Sequence, residues 1–293
     1  LPLVHRNLKE AMAKILERDL PQLGGVAFTS DIWSSRALNS YIALTMHYVD
    51  KDWNLRKFLM GCSNFDERHT AAEIGQKLDR MIEAINIPGE ASLTMVTDGG
   101  SNMVKAAKES PNIHDHLICL CHIISNCLKD TFEIPAIKEA INMLKELASC
   151  THKSLQRTLE IKRECINQNI PFVKIINPVP TRWNSVVMSL KTVVRITPAL
   201  KKLHEKELEI FRGKLPTNKQ LDSYGQMLGP LMRIKTLSEE MEADKKPTIH
   251  LALTNLGRLG TISRSKKFQT SSITTRMIVE AFEEALQRRV KDL

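Results

Sequence analysis

The sequence predicts an α/β unit built on a mixed sheet, followed by an all-α unit, and three observations carry that reading. Two apolar strands, 26–32 and 92–97, each bring an aspartate to their carboxyl end, Asp31 and Asp98, and Gly99-Gly100 break the chain directly after the second. Up to about residue 133 strand and helix signals alternate, which is the pattern of a layered α/β unit. Beyond it strand signals nearly vanish, and long apolar-periodic segments are separated by Pro171, Pro178, Pro180, Pro216 and Pro247.

Taken in order, Leu3, Leu8, Met12, Ile15 and Leu16 stand at helical spacing, so residues 1–25 form a leading amphipathic helix that Pro21 and Gly24-Gly25 end. The first strand covers 26–32. Tyr41–Val49 is rich in aromatic and β-branched residues and forms a second strand. Asp50-Lys51-Asp52 turns the chain into a third, Leu55–Cys62. Thr70-Ala-Ala-Glu73 is a capping box that opens a helix with Ile74, Leu78, Met81 or Ile82, and Ile85 on one face, closed by Pro88-Gly89. The fourth strand, 92–97, leads to Asp98, a short helix over 101–108, a fifth strand over 116–120 and a further helix from His122. The order β-β-β-α-β-α-β-α matches a ribonuclease H-like arrangement over 26–132. There the first three strands are antiparallel and the first and fourth lie side by side and parallel. An all-α region over 133–293 follows, with helices over 136–168, 184–208, 218–242, 247–260 and 273–291.

The 293 residues favour two units. A hydrophobic content of 42% with 26% charged residues supports packed cores rather than disorder. No apolar run approaches the roughly 20 residues that span a bilayer, so no membrane partner is expected. The six scattered cysteines lack the density of a disulfide scaffold. The net charge of +9 is uneven: residues 1–122 hold 13 Lys+Arg against 15 Asp+Glu, and the remainder 29 against 18. An acidic front and a basic rear suit an enzyme core that handles a polyanion, although a solvated basic helical surface has the same composition.

In an open α/β sheet ligands gather beyond the carboxyl ends of parallel strands. Neighbouring strands lie about 4.8 Å apart. Asp31 and Asp98 could therefore hold divalent metals, Mg2+ or Mn2+, about 3.5–4 Å apart, the arrangement that cuts or transfers phosphodiesters. The alternative for Asp98 is a turn cap beside Gly99-Gly100. Cys119, Cys121, His122 and Cys127 evoke zinc, but Cys119 and Cys121 would alternate to opposite faces of a strand and no second ligand pair follows at finger-like spacing. Arg182-Trp183 follows two prolines and opens a helix; its Trp either stacks on an unpaired base or anchors the helical core, and composition favours the core. Trp33 and Trp53 are expected in the core as well. A nucleotide-binding α/β enzyme would need a Gly-x-Gly-x-x-Gly turn or a phosphate-loop lysine, and the chain has neither.

These motifs together resemble the hAT superfamily of DNA transposases, in particular the BED zinc-finger type and its domesticated relatives. Thr29-Ser-Asp31-Ile-Trp33-Ser-Ser resembles the first catalytic-aspartate segment of that family, and Thr97-Asp98-Gly-Gly-Ser-Asn102-Met its second. Ser40-Tyr41-Ile42 through His47-Tyr48 and Trp53-Asn-Leu55 resemble the intervening strand pair, and His69-Thr-Ala the helix start. Cys119-Leu-Cys-His122 is similar to the Cys/Asp-x-x-His motif, and Pro180-Thr-Arg182-Trp183-Asn-Ser to the Arg-Trp motif. The resemblance implies a helical insertion interrupting the core, cut-and-paste DNA chemistry in the nucleus, and a homo-oligomer in the complete protein. It implies that Asp31 and Asp98 are the catalytic, metal-holding carboxylates and that Cys119, His122, Arg182 and Trp183 contact DNA. The family's third acidic residue is a Glu in a Ser-Glu-Arg-like context beside a dimerisation region, and its BED finger precedes the core. Neither is recognisable here, so an incomplete core that does not cut DNA efficiently by itself is expected. A domesticated, non-catalytic regulator or assembly protein is the alternative.

Overall fold

The computed structural model describes every residue except 1, 36, 86, 180–181, 243–247, 266–267, 269–270 and 292–293. It resolves into two compact units, Leu1–Ile123 and the span Ile124–Ala243 with Thr248–Asp292.

The first unit holds five strands, β1 (Gly25–Ser34), β2 (Ser40–Val49), β3 (Leu55–Asn64), β4 (Ser92–Thr97) and β5 (Asp115–Ile118), in the spatial order β3-β2-β1-β4-β5. β1, β2 and β3 pair antiparallel, whereas β4 pairs parallel with β1 and β5 parallel with β4. The mixed ribonuclease H-like sheet expected from the element order is therefore present. Alternation decides its faces. Val26, Phe28, Ile42, Leu44, Met46, Leu93 and Met95 are buried on one face and join Leu16 and Leu20, Ile74, Leu78 and Ile82, and Met103, Ala106 and Ala107 in a single core. Those partners come from α1 (Pro2–Asp19) and the turn that follows it, α2 (Ala71–Glu83) and α3 (Ser101–Glu109). Thr70 caps α2 by accepting the Glu73 N–H, as the capping-box pattern predicts.

At the end of α1, Asp19 is a buried carboxylate that accepts from Tyr48 Oη at 2.9 Å and from Arg18 Nε at 2.6 Å. The Arg18 guanidinium and the Tyr48 hydroxyl hold it below the usual carboxylate range against the opposing effect of burial. A depressed folded-state pKa gives stability that is present above the unfolded value near 4 and is lost as pH falls through the folded value. Tyr48→Phe should lower the unfolding free energy by about 1–2 kcal/mol at neutral pH. Asp19→Asn should flatten the acid limb of a stability-versus-pH curve. An acid limb identical to that of the parent chain would remove Asp19 from the linkage.

The second unit is helical among the described residues. α4 (Leu120–Phe132) enters it and is followed by α5 (Pro135–His152), α6 (Leu155–Asn167), α7 (Trp183–Arg195), α8 (Thr197–Glu205), α9 (Asn218–Met241), α10 (Ile249–Leu259) and α11 (Ile273–Val290). Two segments expected to be single helices are each divided. The 136–168 segment breaks at Ser154, whose side chain caps α6 by accepting the Arg157 N–H. The 184–208 segment breaks at Ile196, because Pro198 supplies no N–H and fits only the first turn of α8. α9 packs against α7, α10 and α11 and brings Leu221, Tyr224, Met227, Leu231 and Ile234 to the core of the unit.

Candidate functional site

The parallel register places the site. Gly25 through Thr29 pair with Ser92 through Val96 at a constant offset, and carrying that register two residues further sets Asp31 level with Asp98. The next parallel pair runs from Thr94 with Asp115 to Thr97 with Ile118, so Cys119 stands level with Asp98 in turn. The Cys119 N–H donates to the Thr97 carbonyl at 2.8 Å and continues that ladder. Asp31, Asp98 and Cys119 thus stand level across three adjacent parallel strands; Asp98 and Cys119 directly follow β4 and β5, whereas Asp31 lies inside β1, which runs past the expected end at 32 and stays paired with β2 to Ser34. By alternation Asp31 lies on the face away from the α1–α3 core, with Ala27, Thr29 and the cross-strand Ala43, Thr45 and His47. Thr29 Oγ1 and Thr45 Oγ1 are 2.5 Å apart, and Thr45 Oγ1 lies 2.9 Å from His47 Nε2, so this face is ordered by hydrogen bonds rather than by burial.

The turn after Asp98 engages one of its carboxylate oxygens. Asp98 Oδ1 accepts the Gly100 N–H at 3.0 Å, and a Cβ on Gly100 would stand 3.0 Å from that same oxygen. Gly100 therefore permits the close approach, and the turn-cap reading of Asp98 is realised. Asn102 Nδ2 donates to the His69 carbonyl at 2.6 Å, and the His69 ring stacks on Phe65. That hydrogen bond joins two of the resemblance motifs, the helix start at His69 and the second aspartate segment.

Cys119 precedes the first residue of α4, and its carbonyl accepts the N–H groups of His122 and Ile123 at 3.0 and 3.1 Å. Its thiol is held well below the usual thiol range, first by a hydrogen bond with Cys121 and then by the side chain and backbone of His122. The amino end of a helix favours an anion at this position. His122 is correspondingly raised, first by its hydrogen bond with Cys119 and further by the charges of Asp31 and Asp98, against its partial burial. One imidazolium therefore senses all three members of the row. The expectation that Cys119 and Cys121 face opposite sides of a strand fails: β5 ends at Ile118, and the first turn of α4 brings both thiols together.

Arg182 and Trp183 belong to the second unit. Arg182 is exposed at the N-cap of α7, and Trp183 is buried, 7% exposed, in the helical core. The indole thus occupies the core position that composition favours. Pro180 and Thr181 of the same motif lie outside the described residues. Trp33 and Trp53 are not in the core. Trp53 is 89% exposed at a turn with φ 62°, and Trp33 is 41% exposed and stacks on Tyr41 with ring centroids 5.8 Å apart. Trp33 alternates onto the same face as Asp31 and pairs with Tyr41 across the ladder, so an aromatic shelf adjoins the carboxylate row. The sequence carried that signal in the two-residue spacing from Asp31 to Trp33.

By register Asp31 and Asp98 stand level on neighbouring strands, and neither takes part in a described salt bridge. Among the described residues no group of three or more His, Cys, Asp or Glu side chains forms a metal cluster.

Comparison with known proteins follows this geometry. Residues 29–127 match the family model described as the ZBED1 RNase-like domain. The chain is similar to a putative AC transposase of Zea mays, 26% identical over 188 residues that cover 60% of this chain and 23% of that protein. It is similar to the putative transcriptional regulator tpeD of Talaromyces stipitatus, 25% identical over 221 residues covering 63% of this chain and 26% of that protein. The zinc finger BED domain-containing protein 4 of Homo sapiens is 23% identical over 216 residues, 69% of this chain and 18% of its own length. The chain spans about a quarter or less of the length of these curated relatives. Residues 29–127 thus match a ribonuclease-like domain of the ZBED1 type, and the chain is similar to putative transposases and to a BED zinc-finger protein.

Proposed function

We propose that the first unit is a phosphodiester-handling core of the transposase type, acting on DNA in the nucleus. The observation that carries this reading is the row of Asp31, Asp98 and Cys119 level across three adjacent parallel strands, beside the raised His122. Asp31 and Asp98 would hold Mg2+ or Mn2+, which when bound polarises a phosphate and makes water or a 3′-hydroxyl a better nucleophile. His122, its pKa raised beside the row, is placed to donate to a phosphate oxygen, and the amino end of α4 adds its positive potential there. Trp33 on its Tyr41 support offers a stacking surface for a base drawn out of the duplex. Arg182, exposed at the start of α7, is a further cation for the DNA backbone. The complete protein would work as a homo-oligomer, as its family resemblance implies.

Binding of Mn2+ to the purified chain, followed by electron paramagnetic resonance of the free ion, tests the seat. One ion is expected, and Asp31→Asn and Asp98→Asn should each weaken it about tenfold or more, since each removes one of two charged ligands. Unchanged affinity in both variants would put the ion elsewhere. A non-catalytic DNA-binding regulator is the second reading, favoured by the similarity to a protein named a putative transcriptional regulator. It retains DNA binding and predicts no dependence on Asp31 or Asp98.

A further inference from the structure

The second unit contains a basic hollow that a scan for adjacent charged residues does not find. The doublets that stand out in the sequence are largely neutralised where they are described. Arg163 pairs with Glu160, Lys201 with Asp222, Lys202 with Glu205, and Arg288 and Arg289 with Asp130. Lys245-Lys246 and Lys266-Lys267 lie outside the described residues. A cavity of about 270 Å3 is lined instead by Lys145, Lys153, Arg157 and Lys214, with Ser149 and a single carboxylate, Glu146.

Each wall has a local cause. Lys145, Ser149 and Lys153 recur every four residues and so share one face at the end of α5. Ser154 caps α6 immediately after, which turns the chain and sets Arg157 opposite that face. Arg157 donates from Nε to the Ile210 carbonyl at 2.6 Å and from Nη1 to the Cys150 carbonyl at 3.2 Å, clamping the loop after α8 onto α5. Buried Phe211 and Leu215 pin that loop on either side of Lys214, and positive φ at Arg212 and Gly213 bends it inward. Lys145 donates only to the amide oxygen of Asn142, and none of the four cations has an acidic partner among the described residues.

We propose that this hollow is a phosphate-binding site. Four cations against one carboxylate, without internal neutralisation, on walls fixed by a clamp and a helix cap, form a seat that an anion completes. Its volume is just below the roughly 300–1,000 Å3 of pockets for drug-sized ligands, which suits a phosphate or diphosphate group better than a whole nucleoside. The phosphate can come from a DNA backbone or from a free inorganic phosphate. The hollow lies wholly in the second unit, so it stands or falls apart from the carboxylate row. Only its DNA source rests on the DNA-handling reading.

The test uses the whole chain and two probes, pyrophosphate followed by calorimetry and a labelled blunt DNA duplex followed by anisotropy across salt. Lys153→Ala with Lys214→Ala removes two exposed cations of the hollow, and Lys162→Ala with Arg163→Ala removes two exposed cations from elsewhere on the same unit. Lys214→Glu alone is the second variant, and circular dichroism checks that each is folded. Pyrophosphate binding lost in the hollow variants and kept in the control establishes the site. If DNA affinity also falls about tenfold or more in the hollow variants, with a salt slope shallower by about one to two, the backbone is the source. If DNA affinity falls no further than in the control, the source is the free anion. Pyrophosphate binding that is absent in the parent chain, or equally weakened in control and hollow variants, overturns the proposal.

Discussion

Phe28→Ala is expected to lower the stability of the first unit by about 3–5 kcal/mol, the range for truncating a buried aromatic residue. Phe28 is fully buried at the centre of β1, where its backbone neighbours are Met46 on β2 and Met95 on β4, both also fully buried. Little around it can collapse into the space, because strands on both sides and the α1–α3 layer are already paired or packed. The same strand sets the level of Asp31 against Asp98, so the core and the carboxylate row depend on one register. Hydrogen exchange of the β1 and β4 amides is the measurement, and protection should drop by about two to three and a half orders of magnitude. Thr29→Ala, one residue along and on the opposite face, should cost less than about 1 kcal/mol, since it removes only the exposed hydrogen bond with Thr45. Equal effects of the two substitutions would mean that the sheet is not held by its helix-covered face.

The register itself was legible before any coordinates. The Asp31 and Asp98 segments repeat the same strand-aspartate pattern, and their separation in sequence equals the pairing offset of β1 and β4. Local chemistry sufficed there, because period-two burial, Gly99-Gly100 and the Thr70 cap are each decided by neighbouring residues. What escaped was decided by partners distant in sequence or by geometry at element ends. Trp33 and Trp53 were expected in the core on account of their size, yet alternation puts one on the open face and a positive-φ turn puts the other in solvent. Cys119 and Cys121 were read as strand neighbours, and a helix starting at Leu120 reversed their relation. Pro198 divided a segment whose apolar period runs through it, because a proline in a first helical turn leaves the periodicity intact. The basic hollow joins Lys145 and Lys153 to Lys214, too far apart in sequence for any charge run to show.

Alkylation of Cys119 should be nearly independent of pH between about 5.5 and 7.5, whereas a reference thiol of pKa near 8.5 quickens about 100-fold over that range. The cause is the site geometry: Cys121 and His122 donate to its sulfur at the amino end of α4, and the thiolate persists where an ordinary thiol is protonated. The absolute rate is a poorer readout than the slope. A thiolate of low pKa loses intrinsic nucleophilicity with a Brønsted coefficient of about 0.4–0.5, which more than offsets its larger ionised fraction near neutral pH. Peptide mapping after iodoacetamide separates the cysteines. Buried Cys127, pushed up to about 11, and buried Cys165, also raised, should remain unmodified. His122→Ala removes one donor and the only cation identified beside Asp31, Asp98 and the sulfur among the described residues. The pH dependence of Cys119 should then steepen toward that of the reference thiol. Sign and cause agree: the raised imidazolium stabilises the row while protonated, and that stabilisation is lost as pH rises through its folded value. A parent chain in which Cys119 already follows the reference slope would show that His122 does not neutralise the row, and would remove the charge on which the proposed phosphate contact depends.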